Sequence, residues 1–373
     1  MQKTSLSLAI LLILHVSFLS AQLTVSIPFE SEAWEIKANT HEFTTYKGKA
    51  ALYLEGGSAI HKQADFQDGI IEFDMSFEEG RKFMGIQFRK TDENNYEEFY
   101  VRPHQSGNPD ATQYTPVFNG NAAWQLYHGE GHSTAYAYNF GEWIHVKLLI
   151  SENQMDVFIN DMSQPLLYVH ELKIPPTAGY ISFSAFLGGG YFANLTYTPL
   201  DTPKLMSTEK IFSQEPGTIM EWEISPSFAA EKLTGLTTVT DFPAFSNLSW
   251  EKVKAEYTGI LNLSRFSEVT PTSNTIWVRA HIEAEKAEIK KIAMGYSDRL
   301  AAFIHGQLVY SGHNQFRSRD YRYLGTIGFF DELYVPLKKG RNTLYFAVTE
   351  SMGGWGIKAK LSEMEALDLS RAE

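Results

Sequence analysis

The sequence predicts an all-β chain built as two β-sandwich (jelly-roll) domains in tandem. Three observations carry this reading. Apolar residues recur at every second position through most of the chain, the period of a half-buried strand. The alternating segments lie near a dozen residues apart, with Gly, Asn and Asp between them. One stretch close to residue 200 loses the alternation and carries two prolines, and a second alternating block follows it.

Taken in order, Ile71, Phe73, Met75 and Phe77 alternate with Glu72, Asp74 and Ser76, and Met84, Ile86 and Phe88 alternate with Gln87 and Arg89. Ile144, Val146, Leu148 and Ile150 form the next strand; Met155, Val157 and Ile159 return after a turn at Ser151-Glu152-Asn153. Ile181, Phe183 and Ala185 lead to Gly188-Gly189-Gly190. The segment TPLDTPKLM marks a linker at 198–206, between a first domain at 22–197 and a second at 207–373. In the second block Ile276, Val278, Ala280 and Ile282 alternate, as do Leu333, Val335 and Leu337, and Leu344, Phe346 and Val348. The run EAEKAEIKK at 283–291 holds helix formers but sits between strands, so it is read as a charged turn.

Composition narrows the chemistry. With 32 Lys and Arg against 44 Asp and Glu, the net charge is −12, which opposes a phosphate backbone and argues against nucleic acid as a partner. The absence of cysteine excludes disulfides, thiolate nucleophiles, Fe–S clusters and Cys-based zinc sites. Aromatic residues reach 14%. Residues 1–21, MQKTSLSLAILLILHVSFLSA, have the charged start, apolar run and small-residue end of a secretory signal. The apolar run is shorter than the roughly 20 residues a membrane span needs. Export to a periplasm or the cell exterior is expected, with no membrane span after signal cleavage.

Segments of the first block carry a resemblance. IPFESEAWEI with Phe29 and Trp34, GIIEFDMSF at 69–77 and EWIHVKLLISENQMDVFIND at 142–161 make residues 26–197 resemble the concanavalin-A-like, laminin-G-like jelly roll. That fold hosts lectins, glycosidases and adhesion modules. AFIHGQLVYSG at 302–312 and VPLKKGRNTLYFAV at 335–348 make residues 207–365 resemble the galactose-binding-like β-sandwich attached to many polysaccharide-degrading enzymes. His305 stands where many members carry Asn. The resemblance implies carbohydrate as the partner.

The richest polar segment is 89–114, RKTDENNYEEFYVRPHQSGNPDATQY. On a strand, Tyr96, Glu98, Tyr100 and Arg102 share one face, while Phe99 and Val101 share the other. Gln87 and Arg89 belong to the polar face of the preceding strand, and His104, Gln113, Tyr114, Trp124 and Tyr127 extend the set. Flat rings stack on the apolar CH faces of sugars, and charged groups bond hydroxyls directionally. These eleven residues are the expected ligand-binding set. An enzyme would use Glu98 with Arg102 or His104, because Glu97 points away from Glu98. A structural or adhesion module is the third reading.

Other candidates are weaker. Laminarinase-type glucanases place three acids on one strand face; here Glu72, Asp74 and Glu78 miss that spacing and read as an outward face. His128 and His132 have zinc-like spacing, but two intervening glycines oppose the helix that spacing needs. Asp110 and Asp161 are candidate calcium ligands, and no other cofactor is expected. In the second block Arg317, Arg319, Asp320, Glu350 and Trp355 sit at expected turns as a possible loop-end sugar site. Gly353, Gly354 and Gly356 would let the backbone approach another surface there.

Overall fold

The computed structural model describes residues 23–208, 210, 214–320, 322–362 and 367–369; the segment 1–21, expected to be a secretory signal, lies outside the described residues. The described residues form strands joined by short 3-10 turns, with no α-helix. No helix among them is long and apolar enough to cross a membrane.

The first half is one large antiparallel sheet that curls over itself. Its central path runs Leu167–Val169, Gln154–Ile159, Ile144–Ser151, Gly69–Ser76, Gly179–Pro199, Phe83–Lys90, Tyr96–Val101, Thr112–Phe118. The 21-residue strand Gly179–Pro199 makes the curl. Its first part pairs with Phe83–Lys90 and its last part with Gly69–Ser76, with register shifts between Ala185 and Gly189 and between Ala193 and Thr196. Such shifts bend a strand and let it serve two layers. The expected alternation fills the space between the layers: Ile71, Phe73 and Met75 meet Ile86, Phe88, Phe99 and Phe183 in one buried cluster. Phe29 and Trp34 also reach this core, and Trp34 stacks on Phe183 at 5.5 Å.

The second half is a sandwich of two antiparallel sheets. One runs Glu251–Lys254, Glu221–Ile224, Thr275–Ala284, Gly340–Thr349, Arg299–Ile304, Gln307–His313. The other runs Leu261–Asn262, Gly356–Leu361, Glu288–Ser297, Asp331–Leu337. Of the run 283–291 only residues 285–287 form the turn; the rest belongs to the ends of Thr275–Ala284 and Glu288–Ser297, and this short turn carries the chain between the two sheets. The galactose-binding-like resemblance implies a closing hairpin at 335–348, and the structure differs from it. Asp331–Leu337 and Gly340–Thr349 belong to different sheets, so the Lys338-Lys339 turn is a crossover. Thr275–Ala284 is buried on both faces at its start: Ile276 and Val278 face the sandwich core, and Trp277 packs with Phe228, Phe242 and Phe303 outside it.

The halves meet along a seam beside the Thr112–Phe118 edge. Ala123, Leu126, Tyr127, Ile260 and Ile327 form its apolar part. Gln125 Nε2 donates to the Leu324 carbonyl at 2.7 Å, and Gln125 N to the Gly353 carbonyl at 2.8 Å. Gly353 and Gly354, at φ 105° and 140°, press against the first half. A Cβ on Gly353 would come within 2.4 Å of Gln125, and one on Gly354 within 2.9 Å of Leu126. The glycine-rich loop therefore docks the second half, the close approach its composition suggested.

Candidate functional site

The strands Phe83–Lys90, Tyr96–Val101 and Thr112–Phe118 put one face into the core and the other into a groove. Their register is fixed by pairs such as Gln87 with Glu98 and Tyr100 with Gln113. Since side chains alternate along a strand, Phe99 and Val101 go fully into the core while Tyr96, Glu98, Tyr100 and Arg102 face the groove. The groove encloses about 680 Å³. The second half closes one side with Phe316, Arg317, Leu324 and Met352. On another side the shift after Ala185 pushes Phe186 and Leu187 out; they are 62% and 51% exposed at the mouth.

At one end Arg102 is buried under a stack of rings. Its guanidinium lies 4.8 Å from the Tyr100 ring centre, 5.8 Å from Phe83 and 5.9 Å from Trp124. Arg102 Nη1 donates to the Asp110 carbonyl at 2.8 Å, and Nη2 donates to the Tyr100 hydroxyl and to Gln113 Oε1. Gln113 Nε2 in turn donates to the Trp124 carbonyl at 2.9 Å and to the Tyr127 carbonyl. Gln113 thus lies beneath the groove and ties Arg102 to the loop that presents Trp124. His104 packs edge-on to Phe83 at 5.2 Å, and burial with the nearby Arg102 and Arg81 charges pulls its pKa down.

In the middle, Glu98 accepts from the Ser184 hydroxyl at 2.6 Å and from Gln87 Nε2 at 3.3 Å. Desolvation raises its pKa against these hydrogen bonds. At the far end Lys90 Nζ donates to Gln87 Oε1 at 3.0 Å and sits 3.8 Å from the Tyr96 ring centre. Desolvation pulls the Lys90 pKa down to about 8, against the charge of Glu98.

Of the eleven expected binding residues, Gln87, Tyr96, Glu98, Tyr100, Arg102, His104 and Trp124 line the groove. Four do not. Arg89 is fully buried on the opposite side, where Nη2 bonds Asp68 Oδ1 at 2.8 Å. The cause is a register shift in the pairing of Phe83–Lys90 with Gly179–Pro199, with Arg89 at φ 49°. The bulge turns Arg89 inward and delivers Lys90 to the groove in its place. Gln113 acts from beneath, as described. Tyr114 neighbours Gln113 on its strand and so faces the core, where its hydroxyl donates to Glu97 at 2.7 Å. Tyr127 is buried in the seam, bonded to Glu256 at 2.5 Å.

The second-half candidates also separate. Arg317 lines the groove, 4.9 Å from the Phe316 ring centre. Arg319 is engaged with Asp331 and with the Tyr296 hydroxyl at 3.2 Å. Asp320 pairs with Arg322 at 2.9 Å. Glu350 is fully buried, its Oε1 accepting from Gly354 N at 3.2 Å. Trp355 is core, its indole donating to the Val348 carbonyl at 2.9 Å. These do not form one loop-end site.

Among the described residues no group of three or more His, Asp or Glu is placed to hold a metal ion. Asp161 caps its own turn by accepting from Ser163 N at 2.9 Å, and Asp110 lines the groove. His128 Nε2 bonds the Ile327 carbonyl across the seam at 3.0 Å, while His132 packs between Tyr114 and Tyr127. Asp74 is not an outward acid but the buried centre of a network with Lys49 at 2.6 Å, His145 at 2.8 Å and Asn194 at 2.7 Å.

The sequence reading missed Phe83, Lys90, Ser184, Phe186 and Phe316. Phe186-Leu187 before three glycines was the one available signal: two consecutive apolar residues break the alternation where the glycines permit a bulge.

No protein-family model and no curated protein matches this chain. Solved structures of similar fold include the carbohydrate-binding module CBM66 from Bacillus subtilis, at 14% identity and TM-score 0.35, covering 44% of this chain and 95% of that one. A Bacillus licheniformis β-glucanase has 14% identity and TM-score 0.33, covering 48% and 98%. The Caenorhabditis elegans galectin LEC-6 has 8% identity and TM-score 0.29, covering 44% and 100%.

Proposed function

We propose that this chain is an exported glycan-binding protein whose ligand lies in the groove between the curled sheet and the second half. One observation carries the reading. Ring faces and directional polar groups alternate along a single open cavity: Phe83, Tyr96, Trp124 and Phe316 among Gln87, Glu98 and Arg102. Sugars present both surfaces at once, apolar CH faces and a rim of hydroxyls, so this mixture suits them better than a purely apolar or purely charged ligand. Gln113 and Ser184 hold Arg102 and Glu98 in place before any ligand arrives, which lowers the ordering cost of binding. Affinity electrophoresis of the full chain through gels holding single polysaccharides tests the proposal. Retention on at least one, weakened by Trp124→Ala, is expected; a folded chain retained by none refutes it.

A second reading has its own observation. Glu98 is a groove carboxyl with a raised pKa, the character of a general acid. A two-carboxylate hydrolase would draw its partner from Asp110 or Glu93, and Glu93 is already engaged by Lys37. Reducing-sugar release abolished by Glu98→Gln would establish that reading.

A further inference from the structure

The described residues contain five buried Lys or Arg side chains: Arg89, Lys90, Arg102, Lys173 and Lys290. Three lie outside the groove, and each has a carboxylate. Arg89 meets Asp68 at 2.8 Å, Lys173 meets Glu171 at 2.5 Å and Glu256 at 2.7 Å, and Lys290 meets Glu288 at 3.4 Å. That is the ordinary rule: a charge taken out of water is paired, because an unpaired one costs several kcal/mol. The two exceptions, Lys90 and Arg102, both line the groove. Each is 5% exposed, and neither forms an ion pair among the described residues. Their partners are neutral: an amide oxygen and a ring for Lys90; a carbonyl, a hydroxyl and an amide oxygen for Arg102.

The surroundings have the same sign. Arg81 and Arg317 also line the groove without an ion pair among the described residues. Lys37 lines it too but is cancelled by Glu35 and Glu93. Against these stand Glu98, whose raised pKa makes it a weaker anion than an ordinary glutamate, and Asp110. A chain with net charge −12 thus keeps an excess of positive charge in this groove. The charge falls at two ends. Lys90 sits beside Tyr96, and Arg102 stands six residues further along, roughly 20 Å at strand rise.

We propose that the groove takes an anionic saccharide, whose carboxylate or sulfate groups supply the counter-charges that Lys90 and Arg102 lack. This rests on the glycan-binding reading and names the class of glycan. Arg102 has fixed its guanidinium before binding, so it suits a planar or tetrahedral oxyanion at a defined place. Lys90, with two ammonium hydrogens beyond its bond to Gln87, suits a less oriented contact. Glu98 between them favours a neutral stretch of hydroxyls in the middle.

The test is affinity electrophoresis of the full chain against matched pairs: polygalacturonate with neutral galactan, and carrageenan with agarose. The first pair reads carboxylate and the second sulfate. We expect retention on at least one acidic polymer, tenfold or more above its neutral counterpart. It should fall at least tenfold in Lys90→Met and in Arg81→Ser and stay unchanged in Lys254→Met, an exposed lysine outside the groove. Equal retention on acidic and neutral gels overturns the anionic assignment and leaves glycan binding standing. No retention on any gel by folded chain overturns both. Acidic retention that ignores Lys90→Met and Arg81→Ser overturns the groove as its site. Arg81 is exposed on the rim, so its variant keeps the test decisive if replacing a buried residue impairs folding.

Discussion

The seam between the halves and the groove beside it handle buried charge in opposite ways. In the seam, Glu256 receives Lys173 at 2.7 Å, Arg265 at 3.1 Å and the Tyr127 hydroxyl at 2.5 Å. Positive and negative charges are matched there, and Arg265 Nη2 adds a bond to the Lys173 carbonyl at 3.1 Å across the join. In the groove, Lys90 and Arg102 have hydrogen bonds and rings but no carboxylate. Matched charge holds a structure without help from solvent or ligand. Unmatched buried charge costs stability and is retained where a ligand supplies the missing partner. The two regions therefore predict opposite responses to mutation.

The largest effect belongs to the seam. Glu256→Ala leaves Arg265 without its carboxylate and Lys173, whose side chain is 1% exposed, with Glu171 alone. We expect a loss of about 3 kcal/mol in urea unfolding, the usual cost of breaking a buried pair from one side. A loss below about 1 kcal/mol would mean that the seam is not held by this network. Next comes a pair of adjacent residues. Arg89→Met should cost about 3 kcal/mol, since it strands Asp68, and leave glycan retention intact in protein that folds. Lys90→Met should leave stability equal or higher, since it removes an unpaired buried charge, and weaken retention. If both variants behave alike, the contrast between the two sides of this strand fails. Smaller again is Trp124→Ala, with an expected tenfold loss of affinity, about 1.4 kcal/mol. The ring covers Arg102 and meets Phe316 edge-on at 6.2 Å, so its removal opens the groove wall without touching the sheet core.

The Arg89 and Lys90 pair also shows where the sequence stops being legible. Strict alternation identified Ile71, Phe73 and Met75 as core and separated Glu97 from Glu98 correctly, because both depend only on the two-residue period of a strand. The same rule put Arg89 in the groove, and one bulge inverted the answer. A bulge arises from how neighbouring strands register, which no single segment encodes. Tyr114 was misplaced for a simpler reason. Its neighbour Gln113 already claimed the groove face, and alternation would have excluded it. Phe316 and Met352 were invisible for a third reason: they reach the groove only because Gly353 and Gly354 let the second half dock. Contacts between distant segments leave no periodic trace in either.

The smallest predicted effect sharpens the contrast by pH. Burial lowers the Lys90 pKa from its unfolded value near 10.5 to about 8. Between those values the unfolded chain binds more protons at this residue than the folded one, so its contribution to stability rises as pH rises from about 8 to 10.5. Below about 8 the lysine is charged in both states and its buried charge opposes folding in full. Binding of an anion has the opposite sign, because it needs the ammonium. Raising the pH from 7 to 9.5 should therefore weaken retention on an acidic polysaccharide while the penalty that Lys90 places on the stability of the free chain shrinks. In Lys90→Met both contributions should vanish over that window. The comparison is between pH series of the two proteins, by affinity electrophoresis for binding and by urea unfolding for stability. Parallel series in both measurements would show that Lys90 is neither the strained cation nor the anion contact that the groove requires.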